Sequence, residues 1–201
     1  LGITNCTASE CDKEVEFMVN MIRGHDGSSV LRDHPLGPIY NSNPVTVPPP
    51  TNNISDETFQ QWLNEPIAGG VAKVSERPTI VYVGSNDGII HAFLGNAQKT
   101  SSFVELWGFI PKTVVSKLRH AVNGSMPEGG KVYTADGTPV VKNIQMYRYD
   151  YKGATTVKWR TVMVTNLRAG GRGYVAMDVT DPYRPKLLWE INSGSYFDPK
   201  V

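Results

Sequence analysis

Cysteine is nearly absent from this chain of 201 residues. The two present, Cys6 and Cys11, are separated by Thr7–Glu10 and lack the His or further Cys that a four-ligand zinc site needs. Local pairing is sterically allowed and would indicate an oxidising compartment; two unpaired thiols is the other reading. Charge of one sign is also missing. Twenty Lys and Arg against 19 Asp and Glu leave a net charge of +1, which gives no electrostatic footprint for nucleic acid or an anionic membrane surface. No apolar run approaches the ~20 residues that span a bilayer. The first residues, Leu1–Cys6, show neither an initiator Met nor a basic-then-apolar signal pattern, so the chain reads as a mature or internal piece of something longer.

Catalytic motifs are equally scarce. His25, His34, His91 and His120 form no i,i+4 pair and no HExxH, and there is no G-x-S-x-G elbow. His91, between Ile90 and Ala92, reads as a packed or edge histidine of a strand. Gly171-Arg172-Gly173-Tyr174-Val175-Ala176 matches G-x-G-x-x-A, but a dinucleotide site needs those glycines to open a helix. Only the β-favouring Tyr174–Val179 separates them from Thr180-Asp181-Pro182, so the match reads as coincidence. A calcium loop of EF-hand type needs oxygen-bearing residues at alternating positions before a Gly. Val83 precedes Ser85, Asp87 and Gly88, and Val132 precedes Thr134, Asp136 and Gly137; neither series meets the pattern. Asp87, Asp136, Asp178 and Asp181 read instead as turn carboxylates bonding nearby backbone.

What the chain does have is 19 Gly, 14 Pro and a repeat. Ile80–Phe93 and Arg168–Pro182 both read as strand, glycine-bearing turn, strand. Each is followed by a tryptophan strand, Leu106-Trp107-Gly108-Phe109 and Leu188-Trp189-Glu190-Ile191. The segment Asn41-Ser42-Asn43-Pro44-Val45-Thr46 returns as Asp136-Gly137-Thr138-Pro139-Val140-Val141. This is the signature of a propeller blade, a small sheet that buries its faces only by stacking on neighbours. Pro44 to Pro139 is 95 residues and Trp107 to Trp189 is 82, against ~40–45 for a bare blade, so insertions are expected. Two units cannot close a ring of ~4–8 blades, so the remaining blades must come from sequence outside the chain.

The fold expected is all-β with helical insertions, with antiparallel blades. Helical periodicity is confined to 12–22, 56–64 and 112–122. A short strand is read at Ile39–Val47, stopped by Pro48-Pro49-Pro50. The division is then 1–47 as helix and first strand, 48–77 as a helical insertion, and 78–201 as blades with a second insertion at 111–123. The Asn52–Glu65 part of the insertion reads as removable with the blades intact. Gly88 and Gly173 are expected at positive φ in their turns, and Trp107 and Trp189 as buried packing residues at equivalent positions. Tyr147, Tyr149 and Tyr151 share one strand face, as a partly buried surface or a contact surface.

In combination and in order, several segments resemble the β-propeller domain of the PilC/PilY family, proteins at the tip of bacterial type IV pili. They are Met21-Ile22-Arg23-Gly24, Asn41–Val45, Val81–Phe93, Glu105–Pro111, Asp136–Val141, Trp159–Val164, Gly170–Pro182 and Leu187–Glu190. The resemblance implies a modified, quinoprotein-like propeller exported to the cell surface, pilus tip or outer membrane. It implies a non-enzymatic tip adhesin that supports pilus assembly, adhesion and twitching motility. Minor pilins or a tip complex and a host-cell receptor would be its partners. The family also implies calcium held by an acidic loop; that loop has no match here, so no cofactor is expected in this chain and any calcium would bind elsewhere in the full-length protein. Two rivals remain, a quinoprotein-type dehydrogenase propeller and a periplasmic scaffold propeller.

Overall fold

Pro44 and Pro139 each fix the backbone just ahead of a run of β-branched residues, and a strand begins directly after each. In a computed structural model, residues 7–26, 30–51, 53–67, 73–95, 104–118, 120, 131–149 and 155–192 are described. The first sheet comprises β1 (Val45–Val47), β2 (Ile80–Gly84), β3 (Ile90–Leu94) and β4 (Glu105–Phe109). The second comprises β5 (Val140–Tyr149), β6 (Thr155–Asn166), β7 (Gly173–Asp178) and β8 (Lys186–Asn192). Both are antiparallel and ordered as in the chain. The first strand is shorter than the expected Ile39–Val47. Its lead-in is committed to the other blade instead.

That commitment is direct. Asn41 N–H and Nδ2 donate to the two carboxylate oxygens of Asp136 (3.2 and 2.7 Å), Ser42 Oγ donates to Gly137 O (3.0 Å), and Asn43 N–H donates to Thr138 Oγ1 (3.0 Å). Residues 95 apart, matched by the sequence repeat, thus bond each other. Asp136 is not a local turn carboxylate as expected; its partner is the corresponding residue of the first blade. Asp178 and Asp181 do behave as expected, accepting from Thr180 N–H and Tyr183 N–H.

The sheets pack face to face. Ile80, Tyr82, Ile90 and Ala92 of the first meet Met163, Val175, Met177 and Val179 of the second, and all are buried. Arg77 crosses the same boundary: it is 4% exposed and its Nη1 donates to Thr161 Oγ1 at 2.7 Å. Burial lowers its pKa to about 10, which leaves it cationic.

Helices decorate the sheets. α1 (Ala8–Ile22) starts earlier than its apolar period suggested, because Glu10 reaches back to accept from Thr7 N–H and Thr7 Oγ1. Cys11 is disulfide-bonded; Cys6 lies outside the described residues. α2 (Glu57–Leu63) is capped by Asp56, whose Oδ1 accepts from Phe59 N–H at 2.9 Å. α3 spans Lys112–Val115; after a turn at Ser116 and Lys117, Leu118 and His120 are helical again, and the end expected at 122 lies outside the described residues. Its first turn, Lys112-Thr113-Val114-Val115, is rich in β-branched residues, which hold a helix weakly. The turn is held from outside by Glu190, which accepts from Lys112 N–H, Thr113 N–H and Thr113 Oγ1.

The turns split the two glycine expectations. Gly88 has φ +94°, and its N–H closes the turn on Ser85 O at 3.2 Å. Gly173 is not at positive φ; Gly171 is, at +149°. Gly173 is the first residue of β7, and what it needs is room. A Cβ there would stand 3.2 Å from Ile191 O and from Leu167 Cδ1.

Candidate assembly surface

The register makes the two tryptophans comparable atom for atom. In the first sheet Val45, Tyr82, Ala92 and Trp107 form one cross-strand row; in the second, Val140, Val164, Ala176 and Trp189 do. Both rows are followed by a bulge, after Ala92 and after Ala176. The first row faces the second sheet and is covered. Trp107 is half-buried, its ring 5.7 Å from that of Tyr82, and its Nε1 donates to Pro182 O at 2.8 Å. The second row faces away. Trp189 is 41% exposed and Val140 58%. The burial expected for Trp189 is therefore not found: among the described residues no sheet covers the far face of β5–β8. Tyr174 and Ile191, opposite each other in the register, extend the same apolar face. A sheet face of this kind is built to be covered.

The insertion between β1 and β2 is anchored more firmly than a rim loop. Phe59, Trp62 and Leu63 are buried with Val74 against Trp159 of β6, and the Phe59 and Trp159 rings meet edge-on at 4.9 Å. Trp159 Nε1 donates to Thr58 Oγ1 at 3.0 Å. Phe59, Trp62 and Leu63 thus anchor a satellite core with Val74, and the expectation that Asn52–Glu65 is a removable segment is corrected. The outward side of α2 carries the exposed Glu57, Gln61 and Asn64.

Sequence reasoning missed the strongest polar cluster. His91 is 4% exposed on β3, with Nδ1 2.6 Å from Glu105 Oε1 and Nε2 3.2 Å from Asp87 Oδ2 and 3.0 Å from Ser85 Oγ. Burial pulls the imidazole pKa down, but the hydrogen bonds and charges of Asp87 and then Glu105 outweigh it and hold His91 above its ordinary value. Burial likewise pushes Asp87 up, and His91, Ser85 and Gly37 N–H together hold it below its ordinary value. Ser85, His91 and Glu105 have the order of a nucleophilic triad. Ser85 is only 1% exposed and its hydroxyl is shared with Asp87, so the group acts as a charged clamp between β3, β4 and the Gly88 turn. The spacing Asp87-x3-His91 was visible, but nothing local placed Glu105 beside it.

His34 is exposed, and His25 forms an isolated bridge with Leu31. Tyr147 is 67% exposed, which favours a contact surface at that position; the side chain of Tyr149 and all of Tyr151 lie outside the described residues. No cluster of three or more metal-ligating side chains occurs among the described residues.

Comparison with known proteins fits this geometry. A family model of the PilY1 beta-propeller domain matches residues 36–199. The type IV pilus biogenesis factor PilY1 of Pseudomonas aeruginosa PAO1 is 36% identical over 166 residues, covering 80% of this chain. That of strain UCBPP-PA14 is 33% identical over 198 residues, covering 94%. A Xylella fastidiosa homolog is 32% identical over 183 residues, covering 88%. The chain spans only 12%, 15% and 14% of those three relatives. The crystal structure of the Pseudomonas aeruginosa PilY1 C-terminal domain shares 37% identity at a TM-score of 0.38, covering 59% of this chain and 19% of that one. Two stacked four-stranded blades, in a chain whose residues 36–199 match that model, belong to the PilY1 β-propeller domain family.

Proposed function

We propose that this chain supplies two adjacent blades to the propeller of a type IV pilus biogenesis protein, and that it works by assembly and recognition rather than by catalysis. The apolar face around Trp189 carries this reading. It repeats, row for row, the face that the first blade buries, so its partner is the next blade of the same longer polypeptide. The names and lengths of the relatives support this, since each is a pilus biogenesis factor several times longer than the chain. The finished propeller would be exported to the cell surface and would engage the pilus tip and its minor pilins. The outward side of α2 and the exposed Tyr147 would supply contacts for adhesion and twitching.

The test is complementation in a strain lacking the full-length protein. Wild-type protein is expected to restore surface pili and twitching, and a Trp189→Asp variant to fail, because a carboxylate cannot be buried unpaired between blades. Pilus counts unchanged by removing or restoring the wild-type protein would overturn the proposal. Turnover of an alcohol with a quinone acceptor by the purified protein would overturn its non-enzymatic part.

A further inference from the structure

We propose that the cavity beneath the Ser85–Gly88 turn is a carboxylate-binding site. It has a volume of about 170 Å³ and is walled by Met21, Arg32, Pro38, Tyr40, Asn86 and Lys131, with Asp87 at one side. Asn86 is only 6% exposed, and its Nδ2 is buried with no hydrogen-bond partner. The amide cannot be turned over to cure this, because Oδ1 already accepts from Thr134 N–H at 3.0 Å. Arg32 repeats the pattern. Its Nη2 donates to Met21 O and Pro35 O, while its Nε is buried without a partner. Lys131 Nζ stands 5.8 Å from the centre of the Tyr40 ring and adds a second cation at the mouth.

The Asp87 carboxylate is not available to these donors. Its oxygens accept from Gly37 N–H and Ile89 N–H at 3.0 Å each, and they also serve His91 and Ser85. The two buried side-chain atoms of the cavity wall left without a partner, Asn86 Nδ2 and Arg32 Nε, are both donors, and Arg32 and Lys131 bring positive charge to that wall. Buried donors left without acceptors are costly, so such a pair marks a missing ligand. A single water needs ~10–15 Å³ and cannot fill this space. A carboxylate offers two oxygens to the two orphaned N–H groups and a charge to match Arg32 and Lys131. Met21, Pro38 and the Tyr40 ring would take a short hydrocarbon body beside it. The carboxylate belongs either to a small free acid or to the end or side chain of a polypeptide.

The experiment is calorimetric titration of the full-length protein with sodium propionate, against sodium chloride at matched ionic strength. A second arm uses a short peptide with a free C-terminal carboxylate and its C-terminal amide. Saturable binding of propionate is expected, and a peptide acid that binds more tightly than propionate identifies a polypeptide source. Asn86→Asp keeps the acceptor for Thr134 and places a negative oxygen where the donor was, so affinity should fall by about tenfold or more. Lys131→Gln, at an exposed position, should weaken binding by about two- to fivefold and decides the matter if Asn86→Asp does not fold. No saturation by propionate up to about 100 mM, or unchanged affinity in a folded Asn86→Asp protein, would each overturn the proposal. Equal binding of peptide acid and amide beside saturable propionate binding assigns the site to a small free acid.

Discussion

His91 is where a single residue makes the first blade sensitive to pH. Its pKa is raised in the fold, so the clamp contributes fully below about pH 6.5, the ordinary value, and is lost as pH rises through the raised value. Asp87 has the opposite sign: its contribution is present above the ordinary carboxylate range and is lost as pH falls through its lowered value. The groups facing His91 are Asp87, Glu105 and Ser85, while Arg23, at the end of α1, lines a separate pocket that His91 and Glu105 also border. Hydrogen exchange of the β3 and β4 amides, corrected for intrinsic rates, should therefore accelerate on raising pH through the imidazole titration. His91→Gln should remove that step. Protection that stays flat in wild-type protein across the titration would show that the clamp does not stabilise these strands.

At the scale of elements, α2 and the segment behind it decide how blade one is attached to blade two. Trp62 is 1% exposed and Phe59 0%, so Trp62→Ala should cost about 3–5 kcal/mol, the range for truncating a buried aromatic. Changes at the exposed Glu57 or Gln61 should stay within about 0.5 kcal/mol. Chemical denaturation of the three variants checks both statements, and equal stabilities would mean that α2 is not part of the core. The existence and order of the strands were legible in the sequence, because Pro44 and Pro139, the turn glycines and the tryptophan strands repeat. Helix ends were less legible. The start of α1 depends on one Glu10 side chain, and the support of α3 on Glu190, 77 residues away from Thr113. The docking of α2 on Trp159 and the pairing of His91 with Glu105 were not legible, since both join residues that only the fold brings together. The roles of Asn86 and Arg32 were hidden for the same reason: an orphaned donor is a property of what surrounds it.

For the whole molecule the two tryptophans are a measure of completeness. Trp107→Ala should cost about 3 kcal/mol or more in any context, because its ring and Nε1 are engaged by the second blade. Trp189→Ala should be nearly neutral in the 201-residue chain but should approach the cost of Trp107→Ala in the full-length protein. Denaturation of both variants in both lengths checks this; a Trp189 cost that stays small at full length would mean that no blade follows on that face. The order of the two blades along the chain also has a consequence for synthesis. The first sheet is complete at Phe109, but the residues that cover it continue to Val179. At ribosomal speeds of ~5–20 residues per second, the roughly 70 residues between them take on the order of 10 s. For that interval Tyr82 and Trp107 stand uncovered on a finished sheet, available to any other nascent chain nearby. A translational pause placed between 110 and 160 lengthens that exposure, whereas one placed after Val179 does not.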